Sequence, residues 1–118
     1  MPRKEKPRTV CSDRKRYLFS RSKGQPAIEV TLDEFETLRL IDFEKLTQHE
    51  CARMMGIART TVQAIYERAR YKLAEALLSE RGVCVQGGTY RLCNHPKTEV
   101  HCLKNRRNGG HEDHLPRR

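Results

Sequence analysis

Apolar positions crowd into the middle of the chain: 26 of the 51 residues from 28 to 78 are apolar, against 17 of the 67 outside that stretch. A core therefore belongs there. Thr31 and Glu34 have the spacing of a capping box, in which the Thr oxygen and the Glu carboxylate each satisfy an otherwise unpaired backbone N–H. A helix should begin at that point. Leu32, Phe35, Leu38 and then Ile41 or Asp42 follow at three- and four-residue steps and carry it to about Glu44, with Asp33, Glu34 and Glu36 outside the apolar stripe. Thr47 and Glu50 repeat the box and open a short second helix ending near Met55, where Gly56 can take the left-handed conformation that stops it. A third helix runs from about Arg59 to Glu80, with Val62, Ile65, Tyr66, Ala69, Leu73 and Leu77 on one stripe and Gly82 ending it.

The flanks lack such a pattern. Residues 1–16 hold two prolines and no apolar period, which predicts an extended basic arm, and residues 17–26 pass from a small apolar cluster into a loop. Val83-Cys84-Val85 and Thr89-Tyr90-Arg91-Leu92 around Gln86-Gly87-Gly88 read as a small hairpin, because Gly-Gly tolerates positive φ. The last fifteen residues read as a polar tail. The expected fold class is thus all-α: a helix-turn-helix domain over 28–80 with a three-helix core and a long third helix, an arm and loop over 1–27, and a Cys/His-containing extension over 81–118.

Charge sharpens this picture. The 118 residues carry 24 basic and 15 acidic groups, a formal +9, and a sequence pI near 9.7. Residues 1–16 alone hold seven basic and two acidic groups, and residues 104–118 hold five and two. Basic flanks around a nearly neutral centre are a common footprint of proteins that meet phosphate backbones. No run of consecutive apolar residues exceeds three, whereas a membrane span needs about 20 and a signal peptide a run of about 7–15. No membrane association is expected. Five cysteines, odd in number and not spaced as a disulfide framework, fit a reducing compartment, so the expected location is cytoplasmic.

The second and third helices, joined by a tight turn, describe a helix-turn-helix. Ala52 is small where the helices would approach, Gly56 makes the turn, and Ile57 and Val62 fill the space between them with Met55 and Ile65. With Val62, Ile65, Tyr66 and Ala69 inward, Arg59, Thr60, Thr61, Gln63, Glu67 and Arg70 fall on the half of the third helix that would enter a major groove. Arg pairs with guanine O6/N7 and Gln with adenine N6/N7, while Thr meets a thymine methyl or a phosphate. Arg68, Arg70 and Lys72 suit phosphate oxygens, as do Arg3, Lys4, Lys6 and Arg8 of the arm. A solvated, Arg- and Glu-rich helix face is the bland alternative. One recognition helix reads few base pairs, so a homodimer is expected, with Leu77 and Leu78 as its surface and an inverted repeat as its target.

The run from Leu46 to Val62, with Arg68-Ala69-Arg70 and Lys72-Leu73 after it, resembles the helix-turn-helix of region 4 in bacterial sigma factors. Met1-Pro2-Arg3, Arg8-Thr9-Val10-Cys11, Leu32-Asp33-Glu34-Phe35-Glu36-Thr37-Leu38-Arg39-Leu40 and Gly87-Gly88 together resemble a family of small predicted DNA-binding proteins, domain of unknown function one-three-four. The resemblance covers about residues 1–90 and is strongest over 31–78. It implies sequence-specific binding of double-stranded DNA and a role in transcription regulation, with RNA polymerase as a further candidate contact. Relatives usually carry Ser or Thr where Ala58 stands, and loss of that cap should cost about 1 kcal/mol of helix stability.

Cys84, Cys93, His95, His101 and Cys102 form a second candidate group, with enough soft and borderline ligands for zinc or an iron–sulfur cluster. Their irregular spacing leaves exposed thiols and histidines as the alternative. Cys51 reads as a small buried thiol, and Cys11 could join a site only if the arm folds back. The competing functional reading is a metal- or iron–sulfur-binding adaptor using the acidic helix as a protein interface. Neither a phosphate-binding loop nor a dinucleotide fingerprint nor a Ser/His/Asp pattern occurs, so no enzymatic activity is expected.

Overall fold

A computed structural model describes residues 5–18 and 24–94. Its elements are β1 (Arg8–Val10), β2 (Arg16–Leu18), β3 (Ile28–Val30), α1 (Leu32–Thr37), a π-helical turn (Leu38–Phe43), α2 (Gln48–Met55), α3 (Arg59–Ser79), β4 (Val83–Val85) and β5 (Tyr90–Leu92). The fold is mixed α/β, with helices and two small sheets, and the all-α expectation is overturned.

The sheets are built by strands from both flanks. β4 is the centre of a three-stranded sheet in the order β2-β4-β3, antiparallel to β2 and parallel to β3. β5 pairs in parallel with β1. The expected hairpin therefore does not form. Both edges of β4 are already taken, so the chain must carry β5 elsewhere. Gly87 and Gly88 do adopt positive φ, of 78° and 96°, but they serve a crossing rather than a hairpin turn. The Gly87 carbonyl accepts from the Leu32 N–H at 2.9 Å as the chain passes the start of α1. A Cβ on Gly88 would lie 2.7 Å from the Thr31 Cβ. Nor is the whole first segment an extended arm, since β1 and β2 are stitched into the two sheets and Val10 is buried.

Both capping boxes form: the side chains of Thr31 and Thr47 accept from the backbones of Glu34 and Glu50, whose carboxylates accept in return. The first helix then departs from expectation. Its second half widens into a π turn, closed by Glu44 N–H on the Arg39 carbonyl at 2.8 Å. That widening turns Arg39 and Leu40 inward together, leaving Leu38 and Ile41 only partly buried. Asp33, Glu34 and Glu36 are also buried, not outside the stripe: Asp33 meets Arg8 of β1 and Glu34 meets Lys72 of α3, while Glu36 pairs with Arg39 of the π turn. Gly56 ends α2 at φ 70° as expected. Helix α3 stops on Glu80 in the left-handed conformation, two residues before Gly82.

Two apolar clusters result. Leu40, Cys51, Ala52, Met55 and Val62 lie between the π turn, α2 and the start of α3. Ile28, Val30, Leu32, Ala76, Val83 and Val85 lie between the three-stranded sheet and the end of α3, with Phe35, Leu73 and Tyr90 packed against them. The long third helix contributes to both.

Candidate nucleic-acid interface

The helix-turn-helix forms as its residue types dictate. Cys51, Met55, Val62 and Ile65 are fully buried and Ala52 nearly so, and the turn closes with the Ile57 N–H on the Ala52 carbonyl at 3.1 Å. The Cys51 thiol packs 3.6 Å from the Met55 sulfur, and burial pushes its pKa up to about 12. It is a core side chain, as expected. Ala58 takes the extended conformation of a cap residue but offers no side-chain hydrogen bond, so no side chain of its own caps the first N–H groups of α3.

Arg59, Thr60, Gln63, Glu67 and Arg70 are all exposed on α3, and Thr61 partly so. The Gln63 amide sits 3.5 Å from the Glu67 carboxylate, one turn on, while the Arg70 guanidinium stacks 5.3 Å from the Tyr66 ring centre. The Tyr66 hydroxyl donates to Asp42 at 2.7 Å, and burial first, then that carboxylate, raises its pKa. Tyr66 thereby pins the π turn to α3 and presents Arg70 beside it.

The other candidate phosphate contacts divide. Lys72 donates to the Glu34 carboxylate at 2.7 Å and to the Glu29 carbonyl at 2.9 Å, and Arg68 meets the same carboxylate at 3.3 Å. Both are tied to the body of the fold, although the Arg68 side chain remains half exposed. Arg8 is buried at 6% exposure, held by Asp33 at 3.6 Å, Glu5 at 3.4 Å and the Lys6 carbonyl at 2.8 Å. It is a structural ion-pair partner and not an arm residue reaching for phosphate. Lys6 is exposed, whereas Arg3 and Lys4 lie outside the described residues.

One feature escaped the sequence reading. Lys6, His49, Ala52, Arg53, Gly56, Ile57 and Arg59 line an open cleft of about 370 Å³ at the turn. Four of the seven carry basic groups and none is acidic. His49 and Arg53 are one turn apart on α2, which is a signal the sequence contained, but the arrival of Lys6 beside them depends on β1. The cleft adjoins the uncapped start of α3, so backbone dipole and side-chain charge there have one sign.

Much of the acidic helix is closed off, although Asp42 is exposed. Asp33, Glu34 and Glu36 are buried, and the Glu44 carboxylate, 2% exposed, pairs with Arg39 at 3.3 Å. Of the candidate metal ligands, Cys84 is buried at the centre of the three-stranded sheet and Cys93 follows β5 of the other sheet, while His95, His101 and Cys102 lie outside the described residues. Among the described residues no three His, Cys, Asp or Glu side chains gather into a metal-binding group. No helix among them is long and apolar enough to cross a membrane.

Known proteins agree with the family resemblance. No solved structure matches the chain. A UPF0251 protein of Desulfitobacterium hafniense (strain Y51) is 49% identical over 98 residues, covering 80% of this chain and 78% of its own. A UPF0251 protein of Caldicellulosiruptor bescii is 36% identical over 88 residues, 75% and 63% of the two chains. Another, from Methanothermobacter thermautotrophicus, is 36% identical over 92 residues, 76% and 49%. The family model described as "Protein of unknown function DUF134" matches residues 1–93, and the chain belongs to that family.

Proposed function

We propose that the protein binds double-stranded DNA sequence-specifically, with the start of α3 in the major groove, and acts as a transcriptional regulator rather than an enzyme, in the cytoplasm. The observation that carries this reading is the exposed row Arg59, Thr60, Gln63 on the first turns of a helix held by a tight α2-Gly56-α3 turn. Arg59 and Gln63 read base edges, and Thr60 with the uncapped N–H groups of α3 meets the flanking backbone. Lys6 and Arg53 supply further phosphate contacts along the cleft.

A second copy completes the reading. Tyr71, Ala74 and Leu78 recur at three- and four-residue steps on a face of α3 that the core does not use, and Tyr71, Leu77 and Leu78 are 70%, 70% and 86% exposed. Pairing there would give two recognition helices and an inverted-repeat target. Contact with RNA polymerase belongs to the same reading, as the function of a regulator once on its site.

Selection of fragments from a random duplex library by the full chain, followed by anisotropy on the enriched site, tests this. A shared motif, and affinity falling steeply as salt rises from 50 to 200 mM, is the expected result for about 6–10 phosphate contacts. No enrichment, with no measurable duplex binding at low salt, overturns it. Sedimentation that shows one copy both free and on the enriched site would remove the dimer.

A further inference from the structure

In the parallel pairing of β1 with β5, Thr9 stands opposite Arg91. Side chains alternate along a strand, so these two share one face, while Arg8 and Val10, both buried, take the other. The Arg91 Nε–H donates to the Thr9 Oγ1 at 3.3 Å, and that same oxygen lies 3.8 Å from where a Cβ on Gly56 would stand. The ladder thus brings an exposed arginine from far along the chain to the α2-Gly56-α3 turn. Lys6, just ahead of β1, lines the cleft on which Gly56 also lies, together with Arg53 and Arg59.

Elsewhere the fold pairs its cations. Arg8, Arg39, Arg68, Lys72 and Arg81 each meet a carboxylate, at 2.7–3.7 Å. Among the described residues no carboxylate stands within ion-pair distance of Arg91, Lys6, Arg53 or Arg59. Cations gathered at one turn without paired acids make that surface attractive to an anion.

Arg91 is also held for the purpose. Its guanidinium is tethered at Nε, so less freedom is lost when the remaining N–H donors, on the two Nη atoms, grip a ligand. Those donors form the planar fork that matches the oxygens of a phosphate. With α3 in the major groove, what passes beside the turn is the sugar-phosphate backbone.

We propose that the Arg91 face of the β1–β5 ladder is a second DNA-facing element, on which Arg91 grips a backbone phosphodiester beyond those met by Lys6 and Arg53. Thr9 is the positioning residue that holds the guanidinium. The inference rests on the DNA-binding reading and adds to it a contact made by no helix. Such a contact carries no base preference; it fixes how the helix-turn-helix sits on the duplex. It also makes DNA binding depend on β5, which lies outside the helix-turn-helix.

The test measures anisotropy of the full chain on its enriched duplex and on an unrelated duplex of equal length, across about 50–200 mM salt. Arg91→Ala should weaken both duplexes alike, by about fivefold, and lower the salt slope by about one unit. Thr9→Val should weaken both by about twofold with the slope unchanged, because the charge remains, and Thr9→Ser should restore wild-type binding. Hydroxyl-radical cleavage of the enriched duplex at saturating protein should show a short backbone stretch protected by the wild type and open to cleavage with Arg91→Ala. Unchanged affinity and slope for Arg91→Ala, on a duplex that the wild type binds, would overturn the inference and leave the DNA-binding reading intact. A loss confined to the enriched duplex would make Arg91 a base contact, and a thermal midpoint that falls along with affinity would make it a stabilising residue of the ladder; either overturns the phosphate contact. Absence of duplex binding by the wild type removes the reading itself, and the inference with it.

Discussion

Glu34 is buried to 3% exposure, yet its carboxylate serves three partners: the Thr31 N–H, Lys72 and Arg68. Burial works to raise its pKa, and Lys72, the Thr31 N–H and Arg68 together outweigh burial and hold it below the usual value. Its contribution to stability is therefore present above the unfolded-state pKa of about 4.3 and is lost as pH falls through the lower folded value. Glu34→Gln should cost about 1–2 kcal/mol near neutral pH, discounted because both cations are partly exposed. In urea titrations at a series of pH values the gap between the two proteins should shrink in acid, and a gap independent of pH would show that the charge is not what stabilises. Ala58→Ser should act in the other direction. The residue already has the extended conformation of a cap, so supplying an acceptor should add about 1 kcal/mol, measured in the same titrations. The missing cap was legible in the sequence, and so were both capping boxes, since they involve neighbours three residues apart. The burial of Asp33, Glu34 and Glu36 was not legible, because the cations of the first two come from β1 and α3 and Arg39 turns inward only through the π turn.

At the scale of elements, α2, its glycine and α3 were readable because helix period and turn chemistry are local signals. The strands were only partly readable. The extended segments at 83–85 and 89–92 were legible but not their pairing, and β1, β2 and β3 were missed, because each strand is three residues long and Arg16–Leu18 has no clear alternation, so pairing with distant partners makes the sheets. The π turn was equally hidden, since its extra width is set by the need to bury Arg39 and Leu40 on one side. Two glycine substitutions separate local strain from contact. Gly56→Val meets only ordinary contact at the Thr9 hydroxyl, so its cost is that of a β-branched residue at φ 70°, at least about 1–2 kcal/mol. Gly88→Ala adds to its φ of 96° a Cβ pressed to 2.7 Å from Thr31 and Asp33, at the crossing over α1. It should cost more, about 2–4 kcal/mol. Denaturation midpoints that ranked the pair the other way would mean that the crossing yields more easily than the turn.

For the molecule as a whole, the candidate interface was half legible. Arg59 and Gln63 stand exposed where the helical period put them, whereas His49, Arg53 and Lys6 become one cleft only through the fold. If that surface meets DNA, Arg59→Ala and Gln63→Ala should each cost about 1–3 kcal/mol and relax preference at one base position. Arg53→Ala should weaken all sequences alike and lower the salt slope by about one unit. Lys72→Ala should act mainly on stability, because Lys72 is already bound to Glu34 and the Glu29 carbonyl. Anisotropy and denaturation on the same variants separate the two classes. The pairing of β1 with β5 also has a consequence for the order in which the chain is made. β5 is made some eighty residues after β1, so β1 has no partner while the helices form. Synthesis proceeds at about 5–20 residues per second, so the nascent chain spends several seconds with β1, β2 and β3 unpaired. Both sheets close only once β4 and β5 have been made, and a chain stalled before residue 83 would display strand edges open to pairing with a neighbour.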